Sequence, residues 1–221
     1  MQSSGRNNLE ILTHDIETLG SMRPKEPVDY DFSQACRWLN REILGYKMPH
    51  LVVRDIQPIR CDTVDDVSIL LFSGGRVSTA TALQLRSMGK NVILLHVEVD
   101  DETTHRAKQI SELLSMPLVL LKPTIRRSYL DYFYGMYLAN TAVKYAIENG
   151  HASRVYMGCF YMASTFNNDH KDWKYCLEFI NAYESVVRKY VYGAEIIRLI
   201  PSPSVVEDEF IRHKEYLQFF A

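Results

Sequence analysis

The contrast between apolar and polar positions is sharpest in the middle of the chain. Residues 67–72 read Val-Ser-Ile-Leu-Leu-Phe, and a Ser-Gly-Gly turn follows at residues 73–75. Directly after the turn, Ala80, Leu83 and Met88 recur at helical spacing. This order predicts a buried strand, a tight loop and a helix. In a parallel sheet such a loop lies at the carboxyl edge, which is where ligands bind.

Short apolar runs and helical periodicity alternate along the rest of the chain. We expect further strands at residues 91–97, 118–121, 154–158 and 195–200. Helices are expected over 128–148, 173–190 and from 206 to the end, and another one holds Ala107, Ile110, Leu113 and Leu114. Alternating strands and helices predict right-handed crossovers in a parallel sheet. The predicted fold class is therefore α/β, a Rossmann-like three-layer sandwich with a five-stranded, mainly parallel sheet and helices on both faces.

The first quarter of the chain has a different character. It begins with a polar segment, and an amphipathic helix is expected from Tyr30 to about Gly45, followed by a strand over 51–56. No catalytic pattern is visible there. We therefore predict an N-terminal extension over residues 1–60, with a mobile tip, and a main α/β domain over residues 61–221.

Composition narrows the class of protein. The 221 residues are 47% hydrophobic and 24% charged, as is typical of soluble globular proteins, and the formal net charge of -2 offers no basic footprint for nucleic acid. No apolar run approaches the roughly 18 residues of a membrane helix, so no membrane partner is expected. The polar N-terminus and the four scattered cysteines favour a cytoplasmic protein without a disulfide frame or zinc site.

The Ser-Gly-Gly loop predicts an anion site. The free N–H groups of a first helical turn and the positive end of the helix dipole favour negative charge, and phosphate is the default ligand. Neither Gly-x-Gly-x-x-Gly nor Gly-x-x-x-x-Gly-Lys-Ser/Thr is present. The alternative is an ordinary strand-to-helix turn that holds no ligand.

The loop resembles the Ser-Gly-Gly-x-Asp-Ser motif of the PP-loop ATP pyrophosphatases, the adenine nucleotide alpha-hydrolase-like superfamily. Ser73, Gly74, Gly75 and Ser78 match, Arg76 fills the free position, and Val77 replaces the aspartate. The resemblance implies an adenine nucleotide ligand, with ATP and Mg²⁺ as cofactors and adenylation with release of pyrophosphate as the reaction. The missing carboxylate is the one that this family is expected to place near Mg²⁺ and the phosphates.

Within that superfamily the order of segments over roughly residues 65–218 resembles the 7-cyano-7-deazaguanine synthases, which make the queuosine precursor. Four short stretches carry the likeness: His105–Leu114, Val155–Gly158, Glu178–Ala182, and Pro201–Pro203 with the following helix. Trp173–Cys176 stands where the family has Pro-Asp-Cys-Arg, and the C-terminal cysteines that bind zinc have no counterpart. No zinc is therefore expected, and fold-level kinship is better supported than shared activity.

The motif and the resemblance together define a set of candidate residues. The nucleotide-binding candidates are Ser73, Gly74, Gly75, Arg76, Ser78, Thr79, His96 and Gly158. Arg76 is expected either to pair with phosphate oxygens or to face solvent, and His96 either to pack at its strand end or to face adenine. Asp100, Asp101 and Asp169 are candidates to replace the metal ligand that is missing at Val77. The alternative is that these carboxylates belong to solvated loops and bind no metal.

Several further residues could have either a ligand-binding or a purely structural role. Lys122 and Arg126–Arg127 either reach a polyanion at the sheet edge or are surface charge. Cys159 is a thiol at the same edge, for which no partner base is identifiable. The tyrosines at 129, 132, 134 and 137 either stack a base or belong to the core, as aromatic residues at helical spacing usually do.

Two functions follow as hypotheses. One is an ATP-dependent adenylating enzyme of the deazaguanine synthase type, acting on a small carboxylate or deazaguanine substrate near residues 158–172. The other is a catalytically degenerate relative that binds a nucleotide as a sensor, sponge or assembly protein. No catalytic residue is assigned, and a homo-oligomer is expected. A structural protein whose loop holds no ligand is the remaining possibility.

Overall fold

A computed structural model describes residues 3–20, 26–37, 50–60, 64–125, 133–158, 171–199 and 203–220. The chain divides into two compact units. Unit 1 comprises residues 1–62, 125–144 and 166–195, and unit 2 comprises residues 63–124, 145–165 and 196–221. The segment predicted as an N-terminal extension thus lies within unit 1, together with two later parts of the chain.

The helices and strands are numbered in chain order. The helices are α1 (Ser3–Gly20), α2 (Tyr30–Ala35), α3 (Arg76–Ser87), α4 (Asp101–Leu114), α5 (Tyr134–Glu148), α6 (Lys171–Tyr190) and α7 (Pro203–Arg212), with a final 3-10 helix (Lys214–Phe219). The strands are β1 (Pro27–Asp29), β2 (His50–Val52), β3 (Ile59–Arg60), β4 (Ser68–Leu71), β5 (Val92–Val97), β6 (Leu118–Leu121), β7 (Arg154–Gly158), β8 (Val191–Tyr192) and β9 (Glu195–Leu199).

The main sheet has the strand order β6-β5-β4-β7-β9. The pairs β4–β5, β4–β7 and β5–β6 are parallel, and Leu70 lies opposite Leu94 on one side and Tyr156 on the other. The predicted α/β fold class with a five-stranded parallel sheet flanked by helices is confirmed. The chain adds β5 and β6 on one side of β4 and then returns to add β7 and β9 on the other. The strand order therefore reverses between β4 and β7.

The central strand β4 is buried on both of its faces. Ile69 and Leu70 are neighbours in β4, so their side chains point to opposite faces, and each is 0% exposed. Ala80 and Leu83 of α3 and Ile110 of α4 belong to the same buried cluster as Leu70. This burial on two sides explains why the strands read as continuous apolar runs rather than as alternating patterns.

Unit 1 is built on α1, α6 and the first part of α5. The side chains of Leu9, Leu12, Ile16 and Leu19 recur on one face of α1 and are all buried. Two short parallel strand pairs, β1–β2 and β3–β8, accompany these helices. A buried polar group links these helices: Asn140 donates to Thr13 Oγ1 at 2.7 Å and accepts from the Tyr183 hydroxyl at 3.0 Å, which joins all three.

Unit 1 also contains buried charges that the sequence pattern did not reveal. Both carboxylate oxygens of Asp15, which is 0% exposed, accept from Arg54 Nη1 at 2.8 and 2.9 Å. Burial raises the pKa of Asp15, and the Arg54 guanidinium opposes that increase. Asp29, also buried, accepts from Lys189 at 3.1 Å and caps α2 through the N–H groups of its first turn.

Some predicted boundaries move in the structure. The helix expected from Tyr30 to about Gly45 is observed over Tyr30–Ala35, and residues 38–49 lie outside the described ranges. The final helix ends at Arg212, and a 3-10 helix follows. This break lets Phe220 fold back so that its ring meets Phe210 edge to face, with the centroids 5.3 Å apart. In the described ranges no helix combines the length and the apolar composition needed to cross a membrane.

Candidate functional site

The Ser-Gly-Gly loop joins β4 to α3 at the point where the strand order reverses. Gly75 is the N-cap of α3 with extended backbone, φ −83° and ψ 169°, and no side chain caps the helix. The first bond within the helix runs from the Thr79 N–H to the Gly75 carbonyl at 3.0 Å. The N–H groups of Arg76, Val77 and Ser78 therefore have no acceptor within the helix, which is the arrangement that favours a bound anion.

The hydroxyl groups of the loop are bonded within the loop itself. Ser73 Oγ accepts from the Gly75 N–H at 3.2 Å and lies 3.1 Å from Ser78 Oγ. Ser78 and Thr79 are both buried and donate to the Gly75 carbonyl at 3.0 and 2.9 Å. These side chains thus fix the shape of the turn. The backbone N–H groups, rather than the hydroxyls, are the donors that remain for a ligand.

Two glycines in the candidate set are required by close packing. Gly74 has φ +69°, and a Cβ on it would lie 3.0 Å from both the nitrogen and the Cα of Ala107 in α4. A Cβ on Gly158, at the end of β7, would lie 2.6 Å from Thr81 Oγ1 and 3.4 Å from Val77 Cγ1. The loop therefore packs directly against α4, and the Val77 side chain faces the carboxyl end of β7.

The His96 side chain, in β5, forms hydrogen bonds both to the end of β4 and to α4. Its side chain is buried, with Nδ1 2.8 Å from the Phe72 carbonyl and Nε2 3.2 Å from Thr104 Oγ1. Nδ1–H donates to the carbonyl. Burial lowers the pKa of His96, which favours the neutral ring. Because Phe72 directly precedes the Ser-Gly-Gly turn, this hydrogen bond from the imidazole fixes the backbone position at the start of the loop.

Two of the three acidic candidates lie at the start of α4. Asp100 is the N-cap of α4, and its Oδ1 accepts from the Thr103 N–H at 2.7 Å, a bond that lowers the pKa of Asp100. Asp101 is exposed in the first turn of α4, and Asp169 lies outside the described residues. Within the described ranges no three His, Cys, Asp or Glu side chains lie close enough to hold a metal ion. Mg²⁺ is usually held by one or two carboxylates together with substrate phosphates, so a magnesium site that uses Asp100 and Asp101 stays a prediction.

Two arginines lie at this end of unit 2. The Arg76 guanidinium carbon lies 5.3 Å from the centroid of the Phe210 ring, in a cation–π contact. Arg106 in α4 has a different environment, because its Nε is buried and has no hydrogen-bond partner among the described residues. In the sequence, Arg106 stands out only as part of a family-like stretch. Lys122 is exposed beyond the end of β6, and Arg126 and Arg127 lie outside the described ranges.

The remaining candidates fall elsewhere. Tyr134 and Tyr137 stack on each other in unit 1, with ring centroids 6.0 Å apart, and Tyr137 is buried. This position agrees with the core interpretation of the tyrosines on α5. Tyr129, Tyr132 and Cys159 lie outside the described residues.

Comparison with known proteins gives a distant likeness in fold. No protein-family model and no curated protein sequence matches the chain. Among solved structures it is similar to a chain in the crystal structure of a predicted subunit of tRNA methyltransferase from Methanocaldococcus jannaschii, with a TM-score of 0.41 and 14% identity. The alignment covers 66% of this chain and 74% of that chain. So distant a likeness carries no information on activity.

Proposed function

We propose that the chain binds a nucleotide through its phosphates at the N-terminus of α3 and does not turn it over. One observation carries the proposal: the first turn of α3 is uncapped by any side chain and lies where the strand order reverses. Open α/β sheets bind ligands in the crevice at such a reversal. The resemblance of residues 73–78 to the ATP pyrophosphatase loop makes adenine nucleotides the first ligands to test.

Binding without turnover follows from the groups at the loop. Release of pyrophosphate develops negative charge on the leaving oxygens, which a metal ion between the phosphates usually neutralises. Val77 offers no oxygen ligand, and the Asp100 carboxylate caps α4. Residues 73–79 therefore supply N–H donors for an anion and no carboxylate for the cation that the reaction needs.

ATP-dependent adenylation is the alternative, with Mg²⁺ as cofactor and a small carboxylate or deazaguanine as acceptor. Its support is the resemblance to the deazaguanine synthases. Incubation with α-labelled ATP and Mg²⁺, with and without cell extract, distinguishes the two functions. Release of AMP and pyrophosphate would contradict binding without turnover.

A proline substitution tests the backbone donors directly. Arg76 is the first residue of α3, a position that accepts proline, and the extended Gly75 backbone is the conformation favoured before proline. Arg76→Pro removes one free N–H group, whereas Arg76→Ala removes the same side chain and keeps that N–H. A hydrogen bond to a charged group contributes about 1.5–3 kcal/mol, so we expect Arg76→Pro to bind ADP at least about tenfold more weakly than Arg76→Ala.

Affinities are measured by titration calorimetry, and folding is checked by thermal melting. For the wild type, ligand at about 100 times its dissociation constant adds about 2.7 kcal/mol to stability, which corresponds to a rise of about 5–10 °C in Tm. Equal affinities of the two Arg76 variants would show that the α3 N-terminus does not hold the phosphate. A wild-type Tm that no nucleotide or pyrophosphate raises would contradict phosphate binding altogether.

A further inference from the structure

Arg106, close to the candidate site, makes fewer hydrogen bonds than its guanidinium group can donate. A guanidinium has five N–H donors. Among the described residues its ion pair is with Glu102, at 3.7 Å, and the Glu102 side chain is 88% exposed. The Nε atom is buried and has no acceptor among the described residues, while the Arg106 side chain as a whole is 27% exposed. Native proteins rarely leave a buried donor unpaired, so an orphaned N–H here indicates that a partner of the guanidinium is missing.

The backbone and the charge of Arg106 both lie close to the loop. The nitrogen of Ala107, which belongs to the peptide bond from Arg106, is 3.0 Å from the position that a Cβ on Gly74 would occupy. Burial is the main cause of the lowered pKa of His96, and the positive charge of Arg106 lowers this pKa further. It also adds to the Thr103 hydrogen bond in lowering the pKa of Asp100. Its field therefore reaches the end of β5, where His96 contacts the Phe72 carbonyl, and the start of α4.

We propose that Arg106 contacts the bound phosphate and supplies the positive charge that a divalent cation supplies in loops with an aspartate at the position of Val77. This inference rests on the proposed function and specifies its ligand, a nucleotide phosphate free of metal. A guanidinium offers paired N–H donors to two phosphate oxygens and remains charged at any physiological pH. The arrangement agrees with Val77, which offers no oxygen ligand to a cation at the position of the aspartate.

Arg76 is the less suitable cation for this role. Its guanidinium already lies over the Phe210 ring, 5.3 Å from the centroid, and the side chain is exposed. Moving it to a phosphate gives up that contact. Arg106 gives up a weak, solvent-exposed ion pair and gains an acceptor for a buried donor.

The experiment compares Arg106→Gln, Arg106→Lys and Lys108→Gln in the full chain. Lys108 is an exposed residue of the same helix, so Lys108→Gln makes the same change in net charge. ADP and pyrophosphate are titrated by calorimetry in EDTA and, separately, in Mg²⁺. Loss of one or two charge-assisted hydrogen bonds predicts about 10- to 100-fold weaker binding in EDTA for Arg106→Gln, an intermediate loss for Arg106→Lys and less than about twofold for Lys108→Gln.

Thermal melting separates a binding role from a structural one. A guanidinium whose buried N–H lacks a partner contributes little to the fold, so Arg106→Gln should keep the ligand-free Tm and lose the rise that ADP produces. A lowered ligand-free Tm with unchanged affinity would assign Arg106 a structural role. Binding only in Mg²⁺, or equal losses for Arg106→Gln and Lys108→Gln, would overturn the inference while leaving the proposed function intact. If the wild type binds neither ligand, both proposals fail.

Discussion

Three glycines of unit 2 illustrate two physical reasons for a glycine: a positive φ and a lack of space for a Cβ atom. Gly89, the second residue after α3, has φ +65°, and a Cβ on it would meet nothing within 4 Å. Gly74 has φ +69°, and its Cβ would lie 3.0 Å from the backbone of Ala107. Gly158 combines an ordinary φ with a Cβ position only 2.6 Å from Thr81 Oγ1. Substitution of each by alanine therefore adds backbone strain, steric overlap or both.

The magnitudes follow from these contacts. A positive φ costs a non-glycine residue about 1–2 kcal/mol, and alanine recovers about 0.4–1 kcal/mol by restricting the unfolded chain. Gly89→Ala should therefore lower the free energy of unfolding by about 1 kcal/mol. Gly74→Ala adds the cost of overpacking, about 1–3 kcal/mol, because the obstructing atoms belong to a helix backbone. Gly158→Ala should cost about 1–2 kcal/mol, since Thr81 must give up its 2.9 Å bond to the Val77 carbonyl.

Urea denaturation followed by circular dichroism measures all three, provided that the slope m is unchanged. The double variant Thr81→Ala with Gly158→Ala should recover part of the loss, whereas Thr81→Val should not, because valine keeps an atom at the obstructing position. If Gly74→Ala costs no more than Gly89→Ala, the loop does not pack on α4 as described. That result would also remove the argument that places Arg106 beside the loop.

Two further predictions concern buried titratable groups. Arg54→Met leaves the Asp15 carboxylate buried without its partner, so we expect a loss of about 3–5 kcal/mol in urea denaturation at pH 7. Because burial already raises the pKa of Asp15, the loss should shrink toward pH 4 as the group takes a proton, and an equal loss at both pH values would be inconsistent with this cause. The lowered pKa of His96 means that its stabilising contribution is full above the ordinary pKa of 6.5 and declines as the pH falls below it. His96→Gln should flatten the fall in Tm between pH 7.5 and 5, and an unchanged slope would assign that fall to other groups.

Much of the local structure of unit 2 was predictable because it depends on short-range patterns. The apolar runs at 67–72 and 91–97 predicted β4 and β5, and the turn at 73–75 predicted the start of α3. Unit 1 was less predictable. β1, β3 and β8 span two or three residues each, too few to show a period of two.

The candidate site was predictable in its loop and not in its surroundings. The order of residue types over positions 73–79 is sufficient to recognise the loop in the sequence. The contact of Gly74 with Ala107 joins residues 33 positions apart, and the spacing of residues in a single sequence carries no information on such distances. The same limit applies to Asp15 and Arg54, since nothing in either local segment indicates an ion pair.

The sequence by itself determined that this is an α/β chain with a strand, a Ser-Gly-Gly turn and a helix at its centre, because backbone sterics and burial of apolar side chains act over a few residues. Only the tertiary structure decided that the turn lies at the reversal of strand order, that its hydroxyls bond within the loop, and that Arg106 retains an unpaired donor nearby. Those features arise from packing between distant segments, where each contact depends on the positions of all the others.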